Sequence, residues 1–209
     1  MNIQHAYDQW SEQYDTNENK TRDLEGRALR ETVDKLDFQI CLELGCGTGK
    51  NTEWLVSRAR EIVAVDLSAE MLAKARMKVN SDAVRFVQAD INEDWKFGVN
   101  KFDLITLSLL LEHIENLEPV FRKAFTALKP GGHLYLGELH PFKQYLGSKA
   151  RFETTQGVQT VTCYNHHLSD FTAAGQNCGF LIEQIKEYFD NNDHAGIPRI
   201  LTIVFKKPN

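Results

Sequence analysis

The sequence predicts an α/β fold: a Rossmann-like, doubly wound seven-stranded sheet, mostly parallel, with an antiparallel hairpin at its C-terminal end. Three observations carry this expectation. Short apolar runs alternate with amphipathic stretches along the 209 residues, the pattern of consecutive parallel βαβ units. A glycine turn, Gly45-Cys46-Gly47-Thr48-Gly49, joins one such run to a helical stretch. The last two apolar runs follow one another across a polar segment containing Gly196 and Pro198, which suits an antiparallel pair rather than another crossover.

The chain begins with a helical stretch over 3–14, where Tyr7, Trp10 and Tyr14 recur at i, i+3 and i+7 and so share one face. A second helix is expected over 22–36. Strands follow at 39–44, 61–66, 84–88, 102–107 and 132–139, with helices at 50–59, 69–79 and 117–128. Each of these five strands is expected to follow a helix and to run parallel to its neighbours. Ser68 stands where an N-cap of the 69–79 helix belongs. Lys129-Pro130-Gly131-Gly132 stops the fifth helix. Between Pro141 and His167 the periodicity weakens, and one strand over 158–164 is the only regular element expected there. A helix over 168–178 and strands at 180–188 and 199–206 complete the chain.

Composition narrows the function. The chain is 42% hydrophobic with a net charge of −5 and no block of like charges, so the basic stripe of a nucleic-acid binder is missing. No apolar run approaches the roughly 20 residues of a membrane span, and the first residues lack the pattern of a signal peptide. The four cysteines include no CxxC pair, which points away from zinc sites and disulfide scaffolds. A cytoplasmic setting is expected.

The glycine turn sits where open α/β sheets bind nucleotides, at the carboxyl end of a strand. Its glycines alternate, and Lys50 stands where a dinucleotide-binding loop would carry a third glycine. The P-loop pattern also fails, because Leu44 replaces its first glycine and Asn51 its Ser/Thr. Glu43, at the tip of the preceding strand, would repel a pyrophosphate and attract an ammonium. Asp66 ends the second strand about 20 residues on, placed to accept both hydroxyls of a ribose. Asp90 ends the third strand, where it can accept from an exocyclic amine, and Ile91 can cover a purine face. Ammonium, ribose diol and base amine together describe S-adenosyl-L-methionine.

These residues, taken in order, resemble the class I S-adenosylmethionine-dependent methyltransferases. The matching pieces are Leu42 to Gly49, Val65-Asp66-Leu67-Ser68, Gln88-Ala89-Asp90, Phe102-Asp103-Leu104-Ile105 and Leu128 to Gly132. The C-terminal third is more loosely similar to the small-molecule members of that class. The resemblance implies a single methyltransferase domain over 1–209. Within it, 1–36 form a helical cap, 38–139 the cofactor-binding core and 140–167 a substrate-side insertion. It implies Glu43, Gly45, Cys46 and Gly47 at the methionine moiety, Asp66 at the ribose, Asp90 with Ile91 at the adenine, and Leu67 among the cofactor-binding residues. Ser108 is expected at the methionine end, and Tyr14 as a lid residue.

In-line methyl transfer needs alignment above all, with a base only where the acceptor must lose a proton. His113, just past the fourth strand, is the candidate base, and His140, at the end of the fifth, the candidate substrate contact. No metal site is expected. A small-molecule acceptor is expected, nucleic acid and membrane are not, and either a monomer or a homodimer fits. The competing readings are a protein or RNA methyltransferase and a non-catalytic S-adenosylmethionine-binding protein. The fourth strand runs into Ser108-Leu109-Leu110-Leu111 rather than the (Asp/Asn)-Pro-Pro-aromatic motif of amino-directed DNA methylation. No cysteine follows a proline, as cytosine-C5 chemistry would require.

Overall fold

A computed structural model describes residues 3–16, 18–154 and 157–209. The centre of the fold is β1 (Ile40–Leu44), hydrogen-bonded in parallel to β2 (Glu61–Asp66) on one side and to β4 (Phe102–Ser108) on the other. β3 (Val84–Gln88) extends the sheet beyond β2, and β5 (Leu128–Leu139) beyond β4, both parallel. β9 (Ile200–Lys206) then pairs antiparallel with β5, and β8 (Leu181–Tyr188) antiparallel with β9. The order is β3-β2-β1-β4-β5-β9-β8. The order reverses direction at β1/β4, which opens a crevice at the carboxyl ends of those strands.

Alternation along each strand divides the core between two faces. Leu42 and Leu44 of β1 pack with Ile105 and Leu107 beneath α5 (Leu117–Ala127) and α7 (Leu168–Asn177). Cys41 points the other way, into a cluster with Ile62, Ala64 and Leu104. That second layer is covered by Leu29 and Val33 of α2 (Lys20–Val33), Leu55 of α3 (Lys50–Leu55) and Leu72 of α4 (Ala69–Lys78). Both faces of the parallel strands are therefore dry, which is why their sequences read as continuous apolar runs. Helix starts are set locally: the Ser68 hydroxyl accepts from Met71 N–H at 3.1 Å, and Asn19 Oδ1 from Arg22 N–H at 3.0 Å.

Four expectations are corrected. The first helix, α1, spans only Ile3–Trp10, and turns carry the chain through residues 11–16. β4 does not follow a helix; residues 89–101 cross as turns and loop, held in part by Lys123 Nζ donating to the carbonyls of Ile91, Asn92 and Glu93. β5 starts at Leu128 rather than 132, because Leu128 pairs with Phe102 before the register shifts and resumes at Leu104 and His133. The 140–167 segment holds more structure than one strand: α6 (Pro141–Tyr145), then β6 (Arg151–Thr154) antiparallel to β7 (Gly157–Thr160). Residues 161–164, expected to belong to that strand, are irregular, as are 165–167. Among the described residues no helix is long and apolar enough to cross a membrane.

Candidate cofactor and acceptor site

The glycine loop is built on β2. The N–H groups of Gly45 and Cys46 both donate to the Val65 carbonyl, at 2.8 and 3.0 Å, so the loop folds back over the end of the neighbouring strand. Gly45, Gly47 and Gly49 all have positive φ (71°, 54° and 81°), a region that side chains with a Cβ rarely enter. Space matters as much as conformation at Gly45, where a Cβ would lie 3.0 Å from Leu110 Cδ1.

Asp66 ties this loop to the next helix. One carboxylate oxygen accepts from Gly47 N–H at 2.8 Å and the other from Ser68 N–H at 2.9 Å. Burial raises its carboxyl above the usual range, partly offset by these two bonds. Asp90 accepts from the N–H and side-chain amide of Asn92, at 2.8 and 3.0 Å. Both carboxylates line one cavity with Gly45 and Gly47 of the loop. Leu67, Met71, Ala89 and Ile91 give it apolar walls, while Ser108, Leu109 and His113 close the β4 side. No lysine or arginine lines it among the described residues. Two acidic groups, apolar walls for a flat base and a glycine cradle suit a cationic nucleoside and offer nothing to a pyrophosphate.

Glu43 and Cys46 sit differently from their neighbours in the motif. The Glu43 carboxylate is buried on the α3 side and accepts from the Thr52 hydroxyl at 2.6 Å. Burial pushes it up to about 8, with the nearby Glu25 and Asp66 carboxylates adding to the rise. It underlies the glycine loop rather than lining the cavity. Cys46 packs into the core on the α2–α3 face, again off the cavity wall.

α1 lies over the cavity. The Tyr14 ring stands 4.0 Å from where a Cβ on Gly47 would be, packs edge-on to Trp10 and is covered by the Arg22 guanidinium. Two acidic residues fasten this segment down: Asp8 accepts from the Ser68 hydroxyl at 2.5 Å, and Asp15 accepts from Thr48 at 2.6 Å and pairs with Lys78 at 2.7 Å. Neither pin was singled out by sequence reasoning. Their signal was nevertheless there, as a Tyr-Asp pair repeated seven residues apart (Tyr7-Asp8, Tyr14-Asp15).

His113 ends a short 3-10 turn (Leu111–His113) after β4 and lines the cavity. Its Nδ1 faces the Thr162 carbonyl at 2.8 Å, which makes it the N–H donor, and its Nε2 accepts from the Tyr7 hydroxyl at 2.7 Å. The turn is held from β5, where one Glu138 oxygen accepts from the N–H groups of Leu110 and Leu111 at 2.9 and 2.8 Å. Glu138 is itself buried, and burial pushes its carboxyl up to about 8. Leu109, just before the turn, has a φ of 51°. His140 lies elsewhere. It caps α6, accepting from Phe142 N–H on Nδ1 at 3.2 Å and donating from Nε2 to Glu187 at 2.9 Å. His166 donates to the Ile114 carbonyl at 2.7 Å.

The fold and the site have the arrangement of the class I S-adenosylmethionine-dependent methyltransferases, to which the chain is similar. Residues 42–136 match the family model described as a methyltransferase domain. A malonyl-[acyl-carrier protein] O-methyltransferase of Enterobacter lignolyticus is 35% identical over 97 residues, 46% of this chain and 38% of that one. A ubiquinone biosynthesis O-methyltransferase of Cronobacter sakazakii is 29% identical over 101 residues, 47% of this chain and 42% of its own. The chain thus spans less than half the length of these curated relatives. Among solved structures, the DhpI–SAH complex superposes with a TM-score of 0.77 at 20% identity, covering 99% of this chain and 95% of that one. At that identity the likeness is one of fold.

Proposed function

We propose that this protein transfers a methyl group from S-adenosylmethionine to a small-molecule acceptor. The observation that carries the reading is the cavity that joins the glycine loop, Asp66 and Asp90 to Tyr7 and His113. When bound, S-adenosylmethionine supplies a methyl carbon on a sulfonium: an acceptor lone pair forms the new bond, and the carbon–sulfur pair returns to sulfur. The chain's own residues position and protect. Asp66 offers acceptors to a ribose diol, Ile91 a flat apolar wall to the base, and Asp90 an acceptor to its amine. Tyr14 covers the loop and excludes water. Tyr7 and His113 form the proton path: an acceptor proton passes to the Tyr7 oxygen while the Tyr7 proton passes to His113 Nε2. Burial keeps the Tyr7 phenol well above its usual range, so it serves as a relay and not as a standing phenolate.

Calorimetry with S-adenosylhomocysteine and NAD tests the cofactor reading. Binding of S-adenosylhomocysteine alone is expected, weakened at least roughly tenfold by Asp66→Asn; binding of NAD alone would overturn it. A radiolabelled-methyl assay against metabolites, RNA and peptides tests the acceptor class, with label expected in the metabolite fraction. Label in RNA or peptide would replace the small-molecule reading.

A further inference from the structure

Tyr7, Tyr14 and Leu109 wall two cavities, the one described above and a second on their far side. The two differ sharply in charge. The first carries Asp66 and Asp90 and, among the described residues, no lysine or arginine. The second gathers Lys20, Arg22, Lys149, Arg151 and Arg199 against two carboxylates, Glu18 and Glu112. Glu112 is nearly buried, and burial raises its carboxyl above the usual range, which weakens it as a counter-charge.

Two of the cations are committed. Arg199 grips both Asp190 oxygens at 2.6 Å, and Arg22 covers the Tyr14 ring. Lys20, Lys149 and Arg151 enter no salt bridge among the described residues. They reach the cavity from two separate parts of the chain, the start of α2 and the stretch from Lys149 to the first residue of β6. Trp10, Leu139 and Leu146 supply apolar wall between them.

A chamber with an apolar wall and cations that form no salt bridge among the described residues selects an organic anion, because each cation gains a charge-assisted hydrogen bond only from a negative group. We propose that this second chamber holds the methyl acceptor, and that the acceptor is an apolar molecule carrying a carboxylate or phosphate handle. The proposal rests on the first cavity being the methyl-donor site. Of the cations only Arg22 touches the shared wall of Tyr7, Tyr14 and Leu109, where it is spent on the Tyr14 ring; Lys20, Lys149 and Arg151 stand outside that wall, so the anionic handle lies away from it and the atom to be methylated lies against it.

The test uses the whole chain saturated with S-adenosylhomocysteine, whose own affinity is measured first. Benzoate, phenyl phosphate and neutral benzyl alcohol are then titrated by calorimetry. At least one of the two anions is expected to bind roughly tenfold or more tightly than the alcohol, and which one does so separates carboxylate from phosphate. Lys149→Gln/Arg151→Gln is expected to abolish that preference while binding S-adenosylhomocysteine as the unaltered protein does. Lys20→Gln, at the start of α2, is expected to weaken anion binding in the same direction. No preference for either anion, or a preference that survives the double substitution, overturns the proposal. Failure to bind S-adenosylhomocysteine at all would instead sink the reading of the first cavity.

Discussion

The Tyr7 hydroxyl lies 2.7 Å from His113 Nε2, joining the N-terminal helix to the turn after β4 across 106 residues of sequence. The two rings meet edge to face at 5.4 Å, so the contact has both a polar and an apolar part. It makes the helix over the cavity part of the surroundings of His113.

Removing that hydroxyl leaves a buried ring nitrogen without its donor. Tyr7→Phe is expected to destabilise the protein by about 1–2 kcal/mol, seen as a lower urea midpoint at unchanged slope. If the relay operates, turnover falls by about 10²-fold or more as well. An unchanged midpoint and rate would show that the bond contributes to neither stability nor chemistry.

Asp15 holds the segment after α1 against both the glycine loop and α4, through Thr48 and Lys78. Asp15→Ala frees that end of the cover. Affinity for S-adenosylhomocysteine is expected to fall by roughly three- to tenfold, with faster proteolysis within residues 3–16. Equal affinity in calorimetry would mean that the cover adds nothing to cofactor binding.

Glu43 makes stability depend on pH. Its folded-state pKa is raised to about 8 from an ordinary 4.5, so between those values the native state holds a proton that the unfolded chain has released. Stability is therefore greatest below about pH 4.5 as far as this group is concerned, and is lost as pH rises through about 8. Acid effects elsewhere in the chain add to this, so the diagnostic is the difference between variants. Glu43→Gln keeps an acceptor for Thr52 and removes the titration. Its stability gain over the unaltered protein should grow from pH 5 to pH 8, reaching on the order of a few kcal/mol. A gain that stays flat with pH would rule out a protonated Glu43.

Gly175 lets α7 lie close against β9. A Cβ there would stand 2.3 Å from Phe205 Cε1, a ring that is fully buried. Gly175→Ala is expected to cost about 1–3 kcal/mol through overpacking, measured as a lower unfolding midpoint. A neutral result would mean that the Phe205 ring has room to turn aside.

Much of this site is legible in the sequence because its chemistry is local to strand ends. Gly45, Gly47, Asp66 and Asp90 each sit one turn past an apolar run, and parallel pairing brings those ends together. Side-chain direction is less legible. The alternation that sends Leu42 and Leu44 to one face of β1 sends Glu43 toward Thr52 on α3, and no motif spacing states that. Long-range contacts are hidden for a different reason. The Tyr7, Trp10 and Tyr14 stripe shows that a face will be covered, but His113 as its partner depends on where the turn after β4 falls. The strand expected over 158–164 overlaps β7, but β6 is not legible, because the pair forms a separate two-stranded sheet, away from the core that creates period-2 alternation. β5 reads as starting at 132 because Pro130-Gly131-Gly132 signals a stop, whereas the sheet absorbs that signal as a shift of register.

Leu109 carries a consequence of its own. A leucine at φ 51° costs about 1–3 kcal/mol relative to a relaxed backbone, and the Glu138 clamp on the next two N–H groups holds it there. The fold thus gives up stability at the one leucine that borders both chambers. Selection for heat resistance alone would favour asparagine or glycine at that position, and would redraw the partition between the two ligands. At residue 109, robustness and selectivity compete.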